Sequence, residues 1–84
     1  MANHIADSLT IATDLIAVRY HGADASALLA RCNTWLVNVP TEQQAIRDSR
    51  FNVSRKLDML DKAINRVRAV RLNCIEAATQ RRVA

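Results

Sequence analysis

The sequence has one glycine, one proline and one each of phenylalanine, tryptophan and tyrosine among its 84 residues. Strands and the tight turns between them rely on aromatic residues, glycine and proline. Their scarcity argues against a β-rich fold, and a single glycine excludes a glycine-rich phosphate-binding loop. Alanine and leucine are abundant instead, so we expect an all-α protein.

Long apolar runs are also missing. No stretch approaches the roughly 18–20 consecutive apolar residues of a transmembrane helix. The opening residues MANHIADSL lack the basic segment of a secretory signal, and Asp7 and Asp14 interrupt the apolar stretch behind it. Cys32 and Cys74 fit small buried thiols in a reducing compartment. We therefore expect a cytoplasmic protein with no membrane partner.

Residues able to carry chemistry are few and scattered. His4 and His21 lie seventeen positions apart, with no cysteine or carboxylate at metal-ligand spacing. Cys32 falls on an apolar stripe, where thiols are usually inert. A chain this short forms one domain, residues 1–84, with little interior to hollow into a cleft. We predict no enzymatic activity, no metal and no cofactor.

Two breaks in the apolar pattern divide the domain into three predicted helices. Gly22 suits the left-handed residue that follows a helix, and Asp24 can cap the next one. After Pro40, Thr41 and Gln44 match the spacing of a capping box. The prediction is a small bundle of two short antiparallel helices packed on one long C-terminal helix, with bounds of about 4–20, 25–38 and 42–80.

The first two helices differ in the width of their apolar faces. The second has a single stripe, formed by Leu28, Leu29, Cys32, Trp35, Leu36 and Val39. On the first, the apolar residues cover an arc of about 200°; they are Ile5, Leu9, Ile11, Ala12, Leu15, Ile16 and Val18. One packing partner cannot cover that arc. We expect helix one to contact two neighbours, with a second copy of the chain as a candidate for one of them.

The third predicted helix carries apolar residues at the heptad spacing of a coiled-coil seam. A continuous helix over 42–80 would be about 57 Å long, too long for the other two to cover. We favour this continuous or mildly kinked helix over a break near Ser49–Asn52. The part of this long helix that the other two cannot cover predicts self-association as a homodimer. The predicted seam consists of Leu57, Leu60, Ile64, Val67, Arg71 and Cys74. The charge of Arg71 needs a partner such as Asp7 or Asp14, or a place at the edge of the seam.

Charge is unevenly distributed along the chain. Residues 1–46 have a net charge of −2, whereas residues 47–84 carry ten bases and four acids, a net charge of +6. Ten arginines against two lysines indicate a GC-rich bacterial or phage genome. Arg66, Arg68 and Arg71 point in three directions around a helix. A basic stripe is nevertheless formed by Arg55, Lys62 and Arg66, and Asp58 can pair with Lys62.

The leading functional hypothesis is a small non-enzymatic interaction module: a regulator, inhibitor or assembly chaperone. It would dock a helical face on a protein partner with an acidic surface, with cations that orient it. Nucleic-acid binding by the basic C-terminal helix is the alternative, although no aromatic residue interleaves with the arginines. A structural subunit of a helical assembly is a third. Electrostatic binding would rest on Arg55, Lys62, Arg66, Arg81 and Arg82.

Overall fold

A computed structural model describes the backbone of residues 4–83 and the side chains of residues 4–79. It contains three α-helices: α1, His4–Tyr20; α2, Ala25–Ser49; and α3, Val53–Val83. They pack into a body of 51 × 20 × 18 Å. Over the described residues no strand forms, and no helix has the length and apolar character to cross a membrane. The all-α class and the helical bundle are confirmed.

The connection between α1 and α2 has the predicted form. Gly22 adopts a left-handed φ of 70°, which a residue with a side chain rarely adopts. The amide of Ala23 donates to the carbonyl of Ala17 over 3.1 Å, so the end of α1 is closed. The Asp24 carboxylate accepts from the amide of Ser26 over 2.9 Å and caps α2.

The second connection lies in a different place from the one predicted. α2 continues through Pro40 to Ser49, rather than ending at residue 38, and α3 begins at Val53 rather than at residue 42. The predicted capping box does not form, because Thr41 and Gln44 are both inside α2. The Gln44 amide instead donates to the Asp48 carboxylate over 3.0 Å.

Packing explains why Pro40 does not end α2. Proline lacks an amide hydrogen and its ring crowds the preceding turn. The apolar stripe nevertheless continues on both sides of it: Val39 is buried, and Ile46 packs against the core two turns later. Pro40 itself is exposed. The buried contacts of the second half of α2 therefore outweigh the local cost of the proline.

The actual break needs neither glycine nor proline. Arg50 and Asn52 have left-handed φ angles of 56° and 49°. Asparagine tolerates this conformation better than most residues. The Ser49 hydroxyl donates to the carbonyl of Ile46 over 2.7 Å and closes the last turn of α2. The prediction of one continuous helix through this region is wrong. The chain turns back after α2, so that α2 covers α3.

The core is organised around α3, which contributes Leu60, Ala63, Ile64, Val67, Val70 and Cys74. The predicted stripe of α2 meets it with Leu28, Cys32, Trp35 and Val39. α1 contributes Ile11 and Val18. As its wide apolar arc indicates, α1 contacts two neighbours, and both belong to the same chain.

Polar contacts tie the helices together at the edges of the core. The Trp35 indole donates from Nε1 to the carbonyl of His4 over 2.9 Å. Side-chain contacts then join α1 to α2, α1 to α3 and α2 to α3. They are Asp14 with Arg31, Ser8 with Arg66, Arg19 with Asn73, and Asn33 with Arg71.

Two leucines of α3 provide a matched test of this core. Leu60 is 1% exposed and Leu72 is 58% exposed. We expect Leu60→Ala to lower the free energy of unfolding by about 2–5 kcal/mol, because it leaves a cavity among three helices. Leu72→Ala should change it by less than about 1 kcal/mol. Denaturation in urea measures both, and equal losses would contradict this core.

Replacing the proline tests the continuity of α2. In a helix interior, alanine is more favourable than proline by up to about 3 kcal/mol. Pro40→Ala is therefore expected to raise the midpoint of thermal unfolding, because it restores an amide donor at an exposed position of α2. A lower midpoint would mean that the second half of α2 needs a proline-induced bend in order to pack.

Candidate functional site

The predicted self-association seam lies mostly inside a single chain. Leu60, Ile64, Val67 and Cys74 are all buried against α1 and α2. Leu57 is half-buried. The assignment of the four buried residues to contacts between copies is therefore corrected. The heptad pattern is real, but α2 covers it because the chain turns back after Ser49.

Arg71, the charged member of the seam, lies at its exposed edge. Its Nε donates to the side-chain oxygen of Asn33 on α2 over 2.7 Å. The suggested carboxylate partner Asp14 pairs with Arg31 instead. Arg71 thus donates to an amide oxygen at an exposed position, and this contact joins α3 to α2.

The predicted basic stripe is only partly an outward surface. Arg55 and Lys62 are exposed, and Lys62 Nζ lies 3.5 Å from the Asp58 carboxylate, the predicted ion pair. Arg66 is half-buried, and its guanidinium donates to the Ser8 hydroxyl over 3.0 Å. Ser8 is fully buried, so Arg66 supports the fold. The side chains of Arg81 and Arg82 lie outside the described residues.

A row of exposed apolar side chains runs along α1. Leu9, Ile16 and Tyr20 are 51%, 54% and 74% exposed. They lie seven and eleven positions apart, which places them in one line on a helix. Ile16 is about 200° around α1 from Asp14, which contacts α2. This α1 row therefore faces away from α2.

A second row lies beside it on α3. Lys62, Ala69 and Glu76 are exposed and recur every seven residues. Ala69 lies about 60° around the helix from Arg66, which contacts α1, and about 200° from Arg71, which contacts α2. The two rows thus share the side of the bundle opposite α2, which we call the α1–α3 face.

Sequence reasoning found half of this face. The wide arc of helix one predicts a second neighbour with another copy of the chain as a candidate, and Lys62 belongs to the predicted basic stripe. Ala69 and Glu76 were missed. Their heptad spacing from Lys62 is a usable signal, but it acquires meaning only once α1 is known to lie beside this part of α3.

Two surface grooves end near the start of α1. One, of about 470 Å³, lies between α1 and α2. The other, of about 300 Å³, is lined by all three helices, with Glu42 and Lys56 at its edge. His4 borders both, and its buried Nδ1 makes no hydrogen bond and lies 3.7 Å from Glu42 Oε2. Among the described residues, no group of three or more histidines, cysteines or carboxylates is placed to hold a metal.

Both thiols are free and fully buried in the core. Burial, reinforced by the neighbouring Cys74, raises the pKa of Cys32 to about 11. Burial also raises the pKa of Cys74. Because the thiolate is the nucleophile, these protonated thiols act as small apolar side chains at neutral pH.

No protein-family model matches this chain, no curated protein matches its sequence, and no solved structure matches its fold.

The buried thiols predict a specific pH dependence of stability. The folded-state pKa of Cys32, about 11, lies above its ordinary value of 9.0. Its neutral thiol therefore stabilises the fold fully below pH 9, and this contribution is lost as the pH rises through about 11. We expect the free energy of unfolding to fall more steeply in this interval for the wild type than for Cys32→Ala. Parallel curves for the two proteins would contradict the burial of Cys32.

Proposed function

We propose that this chain is a small non-enzymatic interaction module that docks its α1–α3 face on a protein partner. The helix arrangement that creates the face has α1 and α2 antiparallel and α1 running alongside α3. The interhelical contacts support it. Along α1, the paired positions of α2 fall from Trp35 to Arg31, whereas those of α3 rise from Arg66 to Asn73.

The α1 row is the observation that carries the proposal. Leu9 and Ile16 remain half-exposed although the same helix packs on two neighbours. A line of exposed apolar side chains along one helix face is typical of helix-mediated protein interactions. Covering each half-exposed side chain would contribute on the order of 1 kcal/mol. The row therefore supplies the apolar anchors of a helix-face contact.

The flanking charge favours acidic side chains on the partner. Arg55 and Lys62 are exposed seven residues apart on one line of α3, and only Lys62 has a carboxylate neighbour among the described residues. Exposed cations of this kind raise the association rate and set the orientation of a complex more than they increase its affinity. By occupying the surface of its partner, the module would act as a regulator, inhibitor or assembly chaperone. We place it in the cytoplasm of a bacterium or of a phage-infected cell, where its thiols stay reduced.

Nucleic-acid binding is the second candidate, favoured by the net charge of +6 on residues 47–84. Each phosphate contact would release counterions, so binding would weaken steeply with salt. The exposed cations with described side chains are spread around α3, and Arg66 is engaged with Ser8. These features support the protein-docking proposal over the nucleic-acid one.

A capture experiment tests the docking face. Tagged wild type, the double variant Leu9→Ser with Ile16→Ser, and the control Val37→Ser are each exposed to bacterial lysate, with and without nuclease. Val37 is 76% exposed on α2, so the control makes the same type of change, from an exposed apolar side chain to serine, on another helix. We expect a stoichiometric protein that survives nuclease, is retained by Val37→Ser and is reduced at least tenfold in the double variant.

Two outcomes would contradict docking through this face. Equal capture by the double variant and the wild type would place the contact elsewhere. Loss of every co-eluting protein after nuclease treatment, with binding that falls steeply in salt, would favour nucleic acid. Circular dichroism of all three proteins verifies that the serine substitutions leave the helices intact.

A further inference from the structure

We infer that the partner of the α1–α3 face is a second copy of this chain, packed antiparallel about a two-fold axis that passes near Thr13 and Ala69. The inference rests on the proposed docking face and specifies its occupant in the isolated protein, so a different protein captured through this face would have to displace the second copy. The predicted seam cannot supply the dimer contact, because Leu60, Val67 and Cys74 are buried within one chain. The α1–α3 face is exposed and self-complementary.

The first step is to find which residues of α1 and α3 lie at the same height along the bundle. Ser8 contacts Arg66, and Arg19 contacts Asn73. The midpoints of these contacts place Thr13 of α1 beside Ala69 of α3. Both side chains are small and exposed, so another pair of helices can approach closely at this level. A two-fold axis through the level of Thr13 and Ala69 relates α1 to α1 and α3 to α3 of the second copy.

The second step is the match along α1. A half-turn about the level of Thr13 reverses the helix direction, so that residues three to four positions before it face residues three to four positions after it. Leu9 then lies opposite Ile16 of the second copy, and Ile16 opposite its Leu9. Thr13 meets Thr13 at the axis. Because an isologous interface uses each contact twice, both half-exposed apolar side chains gain a cover.

The third step is the match along α3. Lys62 and Glu76 lie seven residues on either side of Ala69. The same half-turn therefore sets Lys62 opposite Glu76 of the second copy, and Glu76 opposite its Lys62. Both side chains are exposed, and Lys62 pairs only with Asp58 of its own helix among the described residues. A slip of one heptad would set Lys62 opposite Ala69 and lose both ion pairs.

The apolar and charged contacts have different roles in this arrangement. Exposed ion pairs contribute little to affinity, so Leu9 and Ile16 would provide most of it. The charges determine direction and register, because like charges placed opposite one another disfavour the wrong pairing. In the dimer, Glu76 of the second copy supplies the acidic group that the proposed function expects opposite the α1–α3 face.

Charge reversal tests the pairing directly. Lys62→Glu and Glu76→Lys are surface changes, so each variant should fold, and circular dichroism checks this. We expect wild type to dimerise in sedimentation equilibrium, and each variant alone to dimerise about tenfold more weakly, because two like-charged pairs now face each other. Arg47→Glu is the control: it reverses an exposed charge on α2, away from the face, and should dimerise like wild type.

Mixing the two variants is the decisive measurement. In a dimer of one Lys62→Glu chain with one Glu76→Lys chain, both facing pairs again join unlike charges. We expect the mixture to recover the wild-type dissociation constant as a heterodimer, detected by native mass spectrometry. A double variant carrying both changes in one chain should also recover it.

The outcomes separate this inference from the proposed function. A wild type that stays monomeric at every reachable concentration, or a mixture no tighter than its separate components, overturns the antiparallel dimer. If capture of a different protein still depends on Leu9 and Ile16, the docking face stands without it. If the Leu9→Ser, Ile16→Ser variant alters neither capture nor dimerisation, both fail.

Discussion

The structure depends on one buried stripe of α3 that both other helices share. Ala63, Val67 and Cys74 on this stripe have no exposed surface. α2 packs along it, and α1 fills the groove between the two. The described residues form three helices, one fewer than a bundle of the common four-helix type. The side of α1 and α3 that a fourth helix would cover is the side that stays open.

The sequence predicted the elements that local chemistry determines. The bounds of α1, the left-handed Gly22 and the cap at Asp24 follow from short-range rules, and the structure has all three. The second connection follows from long-range packing. Pro40 is a local stop signal that buried contacts override, while Arg50 at a left-handed angle carries no such signal. Local rules therefore place this break at the wrong residue.

The functional face was harder to predict, because periodicity identifies apolar positions without identifying what covers them. Leu60 and Val67 read equally well as a contact between copies and as a core, and the turn after Ser49 makes them core. Arg66 looks like an outward cation, but a flexible side chain reaches Ser8. The wide apolar arc on α1 was the informative feature: it predicted more than one packing partner, and Leu9 and Ile16 stay half-exposed although α1 contacts both α2 and α3.

Trp35 provides a fluorescence signal that is specific to the packing of α1 against α2. It is the only tryptophan of the sequence. Its indole is buried and bonded to the carbonyl of His4, and its ring meets the His4 imidazole edge-on at 5.7 Å. The intrinsic fluorescence of the protein therefore reports on the first turn of α1 against α2, while far-ultraviolet dichroism reports on all three helices together. If the fluorescence changes at a lower denaturant concentration than the dichroism, the amino-terminal helix detaches before α2 and α3 melt, and unfolding is not two-state.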